Sequence, residues 1–160
     1  MQQSFLQETD YWCIVRDGDA QAFALYARHY SFYHYSDGRR ERYGYRNRRM
    51  IVGPGEKLVL LGNDARALCC WRRGIDANSN GQKRVYCTVF RNESSARASD
   101  ILKSAMALAW KRWPGETLFT YVNPHKIHSN VPGYCFRRAH WKHIGETAGG
   151  LLIFSINPKE

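Results

Sequence analysis

Ser99-Asp100-Ile101-Leu102-Lys103-Ser104-Ala105-Met106-Ala107-Leu108-Ala109-Trp110-Lys111-Arg112-Trp113-Pro114 is the stretch on which the fold class turns. Ser99 and Asp100 are helix-capping types, and the apolar residues that follow, Ile101, Leu102, Ala105, Met106, Leu108 and Ala109, recur with helical period. The spacing predicts a helix to about Arg112 that stops before Pro114. On its N-terminal side the period is that of strands. Gly53-Pro54-Gly55 is a turn, Lys57 to Leu61 a short apolar strand closed by Gly62-Asn63-Asp64, and Ala65 to Arg73 the returning strand of a hairpin. Gly74 to Gln82 reads as a loop, and Arg84 to Arg91 as a further strand. On the C-terminal side, Thr117 to Val122 reads as a buried strand, Tyr134 to Ala139 as a short helix, and Trp141 to Thr147 with Gly150 to Ile156 as a closing strand pair. Nearer the start, Asp17-Gly18-Asp19 caps a helix from about Ala20 to Tyr30, whose Phe23, Tyr26, Ala27 and Tyr30 share a face. The chain is therefore expected to be one α/β (α+β) domain over residues 1–160, with a mixed, mostly antiparallel sheet flanked by helices and a basic insertion at about 31–50.

The chain's 160 residues suit a single core. Lys plus Arg number 24 against 14 Asp plus Glu, a formal net charge of +10, which points to a polyanionic partner. Nearly half the residues are apolar, too many for a disordered basic tail. No apolar run reaches membrane-helix length, and Met1 to Asp10 lacks a secretion-signal pattern; the expectation is a soluble protein of the cytoplasm with no membrane partner. Five cysteines (Cys13, Cys69, Cys70, Cys87, Cys135) form no CxxC pair, so buried structural roles are expected for all but Cys135, with no disulfide framework. His125 and His128 are the nearest approach to a zinc spacing, and no metal site is assigned. Trp110 and Trp113 read as packing residues, and His140 and His143 as residues of a closing strand.

From Ser31 to Arg49, Tyr33, Tyr35, Tyr43 and Tyr45 interleave with Arg39, Arg40, Arg42, Arg46, Arg48 and Arg49, opposed only by Asp37 and Glu41. Arginine pairs phosphate while tyrosine stacks on bases, so this segment, with Lys126, is the candidate nucleic-acid surface. Double-stranded DNA is the expected partner, with RNA the competitor. A base acted on inside a duplex has to be flipped out, and these tyrosines are the available wedge and stacking residues. His29 has the titration range of a general base, with Tyr30 and Ser31 adjacent. Arg91-Asn92-Glu93 is a polar cluster whose carboxylate is a base, a metal ligand or a salt-bridge partner of Arg91.

Cys135-Phe136-Arg137-Arg138-Ala139-His140-Trp141-Lys142-His143-Ile144-Gly145, followed by Gly150-Leu151-Leu152-Ile153-Phe154, resembles the closing pattern of the GNAT-type N-acyltransferase superfamily. The resemblance implies a mixed sheet splayed at its centre to admit acyl-coenzyme A. His140 stands where that family prefers Gly, and Phe136 where it often holds a tyrosine general acid; Tyr134 and Cys135 are its neighbours. Glu93-Ser94-Ser95-Ala96-Arg97-Ala98 aligns with the family's pyrophosphate-binding loop, with Glu93 in place of Gln or Arg. The resemblance implies a donor site of Arg91, Ser94, Ser95, Arg97, Ala98, Ser99, Cys135 and Phe136 for acetyl-coenzyme A or a related acyl-coenzyme A. It also places Tyr121 and Asn123 along the acyl channel. Arg28-His29-Tyr30-Ser31 is similar to a segment of phage Mom-type DNA-modification proteins, a GNAT-like branch that alters adenine to block restriction. The expectation is a transferase acting on adenine in phage or host DNA, with His29, Tyr30, Ser31, Asn123 and Tyr121 at the base. Its competitors are a protein or small-molecule N-acetyltransferase and a catalytically silent GNAT-like DNA- or RNA-binding protein.

Overall fold

The computed structural model describes residues 11–29, 50–76, 78–126 and 131–159. Tyr30, Ser31, the whole arginine–tyrosine segment to Arg49, and His128 lie outside the described residues. Seven strands form one sheet in the order β1-β2-β3-β4-β5-β7-β6. They are β1 Trp12–Val15, β2 Glu56–Gly62, β3 Ala67–Gly74, β4 Arg84–Asn92, β5 Leu118–Val122, β6 Lys142–Glu146 and β7 Leu152–Ile156. The described helices are α1 Ala20–Ala27, α2 Ala98–Arg112 and α3 Tyr134–Arg138. Neighbouring strands are antiparallel except β4 and β5, which run parallel. A parallel pair needs a crossover, and α2 supplies it.

Continuous apolar runs in β2 and β3 follow from burial on both faces. Leu58, Leu60, Ala67, Cys69 and Trp71 pack with Ile101, Leu102, Ala105, Met106 and Ala109 of α2. Val59, Leu61, Leu68 and Cys70 face Ala22 and Leu25 of α1. The side chain of Asp19 accepts from the Ala22 amide at 3.0 Å and caps α1. Asp17, just before it, is a buried carboxylate that accepts from the amides of Ile51 at 2.6 Å and Gly53 at 2.9 Å and from Lys57 Nζ at 3.1 Å. Burial alone pushes its pKa up; the amides of Ile51 and Gly53, with Lys57, outweigh that and hold it below the ordinary value. This carboxylate fixes residues 51–53 beside the β1–α1 turn.

The element order agrees with the sequence reading, with five corrections. Helix α1 ends at Ala27, with Arg28 as its C-cap, short of the expected end near Tyr30, and its buried residues are Ala22 and Leu25. Strand β1 was not anticipated: it is short, and Ile14 is exposed on it. Helix α2 starts earlier than Ser99, at Ala98 with Arg97 as its N-cap, and Ser99 is buried in its first turn. Cys13 is exposed on the edge strand and not a core residue; all five cysteines are free thiols. His140 precedes β6 and does not belong to it; its φ of 76° is left-handed. That conformation is one that glycine adopts without the Cβ clash, which costs other residues about 1–2 kcal/mol. Among the described residues no helix is long and apolar enough to cross a membrane.

The left-handed backbone at His140 makes a direct prediction. His140→Gly stabilises the fold by about 1 kcal/mol, read as a raised urea midpoint with an unchanged slope. An unchanged or lowered midpoint would show that the His140 side chain contributes more than its backbone costs.

Candidate functional site: a cleft between two parallel strands

β4 and β5 pair at only three positions, Val85 with Leu118, Tyr86 with Phe119 and Cys87 with Thr120. Beyond them β4 runs to Asn92 and β5 to Val122 without pairing. The cause is visible in the other ladder of β4, where Trp71 faces Cys87 and the next β3 residue inward, Cys70, faces Val89. Thr88 is thus the extra residue of a β-bulge, which bends and twists a strand locally. It also reverses the facing of the side chains: Val85 and Cys87 point to α2, whereas Val89 points to α1.

A cavity of about 360 Å³ opens where the strands part. Thr88 and Phe90 of β4 and Thr120, Tyr121 and Val122 of β5 form two walls, and Gly133 to Phe136 of the α3 turn form a third. Phe136, which is buried, packs edge-on against Phe90 with ring centres 6.1 Å apart. At Gly133, with φ of 76°, a Cβ would come within 2.7 Å of the Phe154 ring, so only glycine lets the α3 turn sit this close. His29, two residues beyond the end of α1, closes the other side. Burial above all, with the Arg91 charge second, lowers its pKa from 6.5 to about 4, against a hydrogen bond to the Phe90 backbone. His29 is consequently neutral at pH 7.

A second cavity of about 370 Å³ lies at the N-terminus of α2, lined by Arg97, Ala98, Ser99, Tyr134, Cys135 and Arg138. Tyr134 and Cys135 line both cavities, so the two adjoin. The N-cap Arg97 makes no side-chain cap bond, which leaves the first-turn amides without one. Helix amides flanked by Arg97 and Arg138, neither with a carboxylate partner among the described residues, favour an anion. Cys135 is pushed up to about 12 by burial, so its thiol keeps its proton at neutral pH.

Several anticipated site residues stand together here: His29, Tyr121 and Phe136 at the first cavity, Arg97, Ala98 and Ser99 at the second, Cys135 at both. Others line neither. Arg91 Nε donates to Glu93 at 2.6 Å, and Arg28 grips the same carboxylate through two bonds of 2.7 and 2.9 Å. Hydrogen bonds from Arg28, then Arg91, hold Glu93 down to about 2. Of the three roles open to this carboxylate, the structure shows the salt bridge, and the charge of Glu93 is offset by two guanidiniums. Ser94 bonds Asn92 Oδ1 through both amide and hydroxyl, and Ser95 is exposed. Asn123 is a turn residue, its side chain accepting from the His125 amide at 3.0 Å, with exposed Lys126 in the same turn. The Tyr121 hydroxyl donates to Asp76 Oδ2 at 2.7 Å. Thr88 and Asp76 were not anticipated, because a bulge and a loop contact leave no periodic signal; Arg138 lay inside the quoted closing segment without being singled out. Compared with models of known protein families and with curated proteins, the chain matches none.

His29 also carries a pH dependence. Its folded pKa of about 4 lies below the unfolded value of 6.5, so its contribution to stability is whole above about pH 6.5 and is lost as pH falls towards 4. The expected loss is on the order of 3 kcal/mol by urea unfolding, and His29→Gln removes the slope in the upper part of that window, above the range in which Glu93 and Asp17 titrate. An identical slope in His29→Gln would place the titration elsewhere.

Proposed function

We propose that the protein is a GNAT-like transferase that passes an acyl group from a coenzyme A thioester to an amino group of a nucleic-acid base, adenine in DNA first. One observation carries the reading: the apolar cavity where β4 and β5 part adjoins a cavity at a helix N-terminus flanked by two arginines that have no carboxylate partner among the described residues. A coenzyme A thioester, with a long uncharged arm and a pyrophosphate, has that division of chemistry, and the resemblance of residues 135–154 implies the same donor. The left-handed φ at His140, where the family has Gly, supports the resemblance further.

Arg97, Arg138 and the amides of Ala98 and Ser99 would hold the donor's phosphates. The thioester, when bound, supplies an acyl carbon open to attack by an amine. The C–N bond forms as the C–S bond breaks, and two protons have to be handled. A neutral His29 at the cavity wall accepts from the attacking amine. Cys135 Sγ–H and the Tyr134 hydroxyl, at the junction of the cavities, are the proton sources for the departing thiolate, in the role Phe136 lacks. The +10 charge and the arginine–tyrosine segment that begins just after His29 support a polyanionic acceptor. Phe136 itself favours a second reading, a nucleic-acid-binding protein that keeps the scaffold without the chemistry.

The test is the nucleoside content of DNA from bacteria expressing the protein, by digestion and mass spectrometry. A new deoxyadenosine-derived species is expected, reduced at least about tenfold by His29→Ala and by the pair Arg97→Ala and Arg138→Ala. Unmodified DNA beside a modified RNA nucleoside would move the acceptor to RNA. Unmodified nucleic acid of both kinds from folded protein would move the acceptor to a protein or small-molecule amine, and would leave the second reading if acetyl-coenzyme A also fails to bind.

A further inference from the structure

A row of paired residues crosses the sheet on the face opposite α2. Arg72 of β3 pairs with Tyr86 of β4, Tyr86 with Phe119 of β5, Phe119 with Ser155 of β7, and Ser155 with Lys142 of β6. Paired residues share a face, so the row has an aromatic centre and a cation at each end. Five strands at about 4.8 Å spacing make it roughly 19 Å long. Arg84 lies over the Phe119 ring, its guanidinium carbon 4.7 Å from the centre. Tyr121, two residues on from Phe119, stacks on Tyr86 with ring centres 5.6 Å apart and lines the first cavity.

Neither hydrophobic cluster contains these side chains: α1 packs on the same face around Leu61, Leu68 and Val89, and the α2 cluster is on the other. Arg72, Arg84, Phe119 and Tyr121 are half-buried and Lys142 is exposed. Among the described residues Arg72, Arg84 and Lys142 have no carboxylate partner, and Asp76, the acid at this surface, accepts from Tyr121. Aromatic rings on a sheet with arginines beside them combine stacking for bases with charge for phosphates. A duplex hides its base faces, so the chemistry fits an unpaired strand.

We propose that this face holds an unpaired polynucleotide strand, with bases stacked at Phe119 and Tyr121 and phosphates met by Arg72, Arg84 and Lys142, and leads a base to the cavity at Tyr121. The inference rests on the nucleic-acid acceptor of the reading above and adds the surface that receives it.

The test is fluorescence anisotropy of the full chain with a short labelled single-stranded oligodeoxynucleotide, without any coenzyme. Phe119→Ala is expected to weaken binding about tenfold and Phe119→Trp to retain it. The pair Arg72→Ala and Arg84→Ala is expected to lower the magnitude of the slope of log K on log salt by about 1.4. The pair Lys103→Ala and Lys111→Ala on α2 removes the same charge from the other face and is expected to change the slope far less. Circular dichroism confirms that each variant is folded. Absence of binding by the unaltered chain, indifference to Phe119→Ala, or an equal effect of the α2 pair overturns the proposal. If the strand binds here and no base is ever modified, the transfer reading fails while this surface stands; modified DNA with binding indifferent to Phe119 gives the converse.

Discussion

The bulge at Thr88 is the constraint on which the site depends. β4 pairs with β3 along its length and with β5 over three positions only, and one extra residue reconciles the two demands. Backbone groups at the parting edge lose ladder partners, and such groups need other partners, because a buried unpaired amide costs about 1–3 kcal/mol. A cleft in mid-sheet is therefore stable only where water or a ligand can reach it. The flanking layers hold the opening: α2 and Phe136 pack on one face, α1 on the other, and Gly133 allows α3 to close the end.

Charge is distributed around that opening in a consistent way. Carboxylates on these elements are already occupied: Glu93 at the end of β4 by Arg28 and Arg91, Asp17 at the β1–α1 turn by backbone amides and Lys57, Asp76 by Tyr121. Arg97 and Arg138 at the helix end have no such partner among the described residues, nor do Arg72 and Arg84 on the opposite sheet face. Among the described residues, arginines without a carboxylate partner thus stand on both sides of the sheet. His29, held neutral by burial and by the Arg91 charge, adds no further positive charge at the wall of the first cavity.

Much of the fold was legible from periodicity. Alternation and turn residues located the β2–β3 hairpin, and the 3.6-residue spacing of Ile101, Leu102, Ala105 and Ala109 located α2. Strand β1 was not legible, because four residues with one exposed isoleucine give no period. The start of α2 was misplaced since Arg97 is not a capping type, and its extended backbone rather than its side chain makes the boundary. The site was legible in part. Arg97 to Ser99 and Cys135 came from the family resemblance and do meet at one cavity, while Ser94 and Asn123 turned out to spend their polar atoms on their own turns. The parting at Thr88 and the row from Arg72 to Lys142 depend on register across strands distant in sequence, which no local pattern encodes.

The central claim is that the parted strands and the α2 N-terminus form one passage for a single extended thioester donor. Amide chemical shifts of isotope-labelled protein, followed as coenzyme A is added, test it most directly. Saturable shifts at Arg97, Ala98 and Ser99 together with Thr88 and Cys135, all with one dissociation constant, are the predicted result. Shifts that do not saturate, or that leave Thr88 and the α2 N-terminus unmoved, would contradict the account.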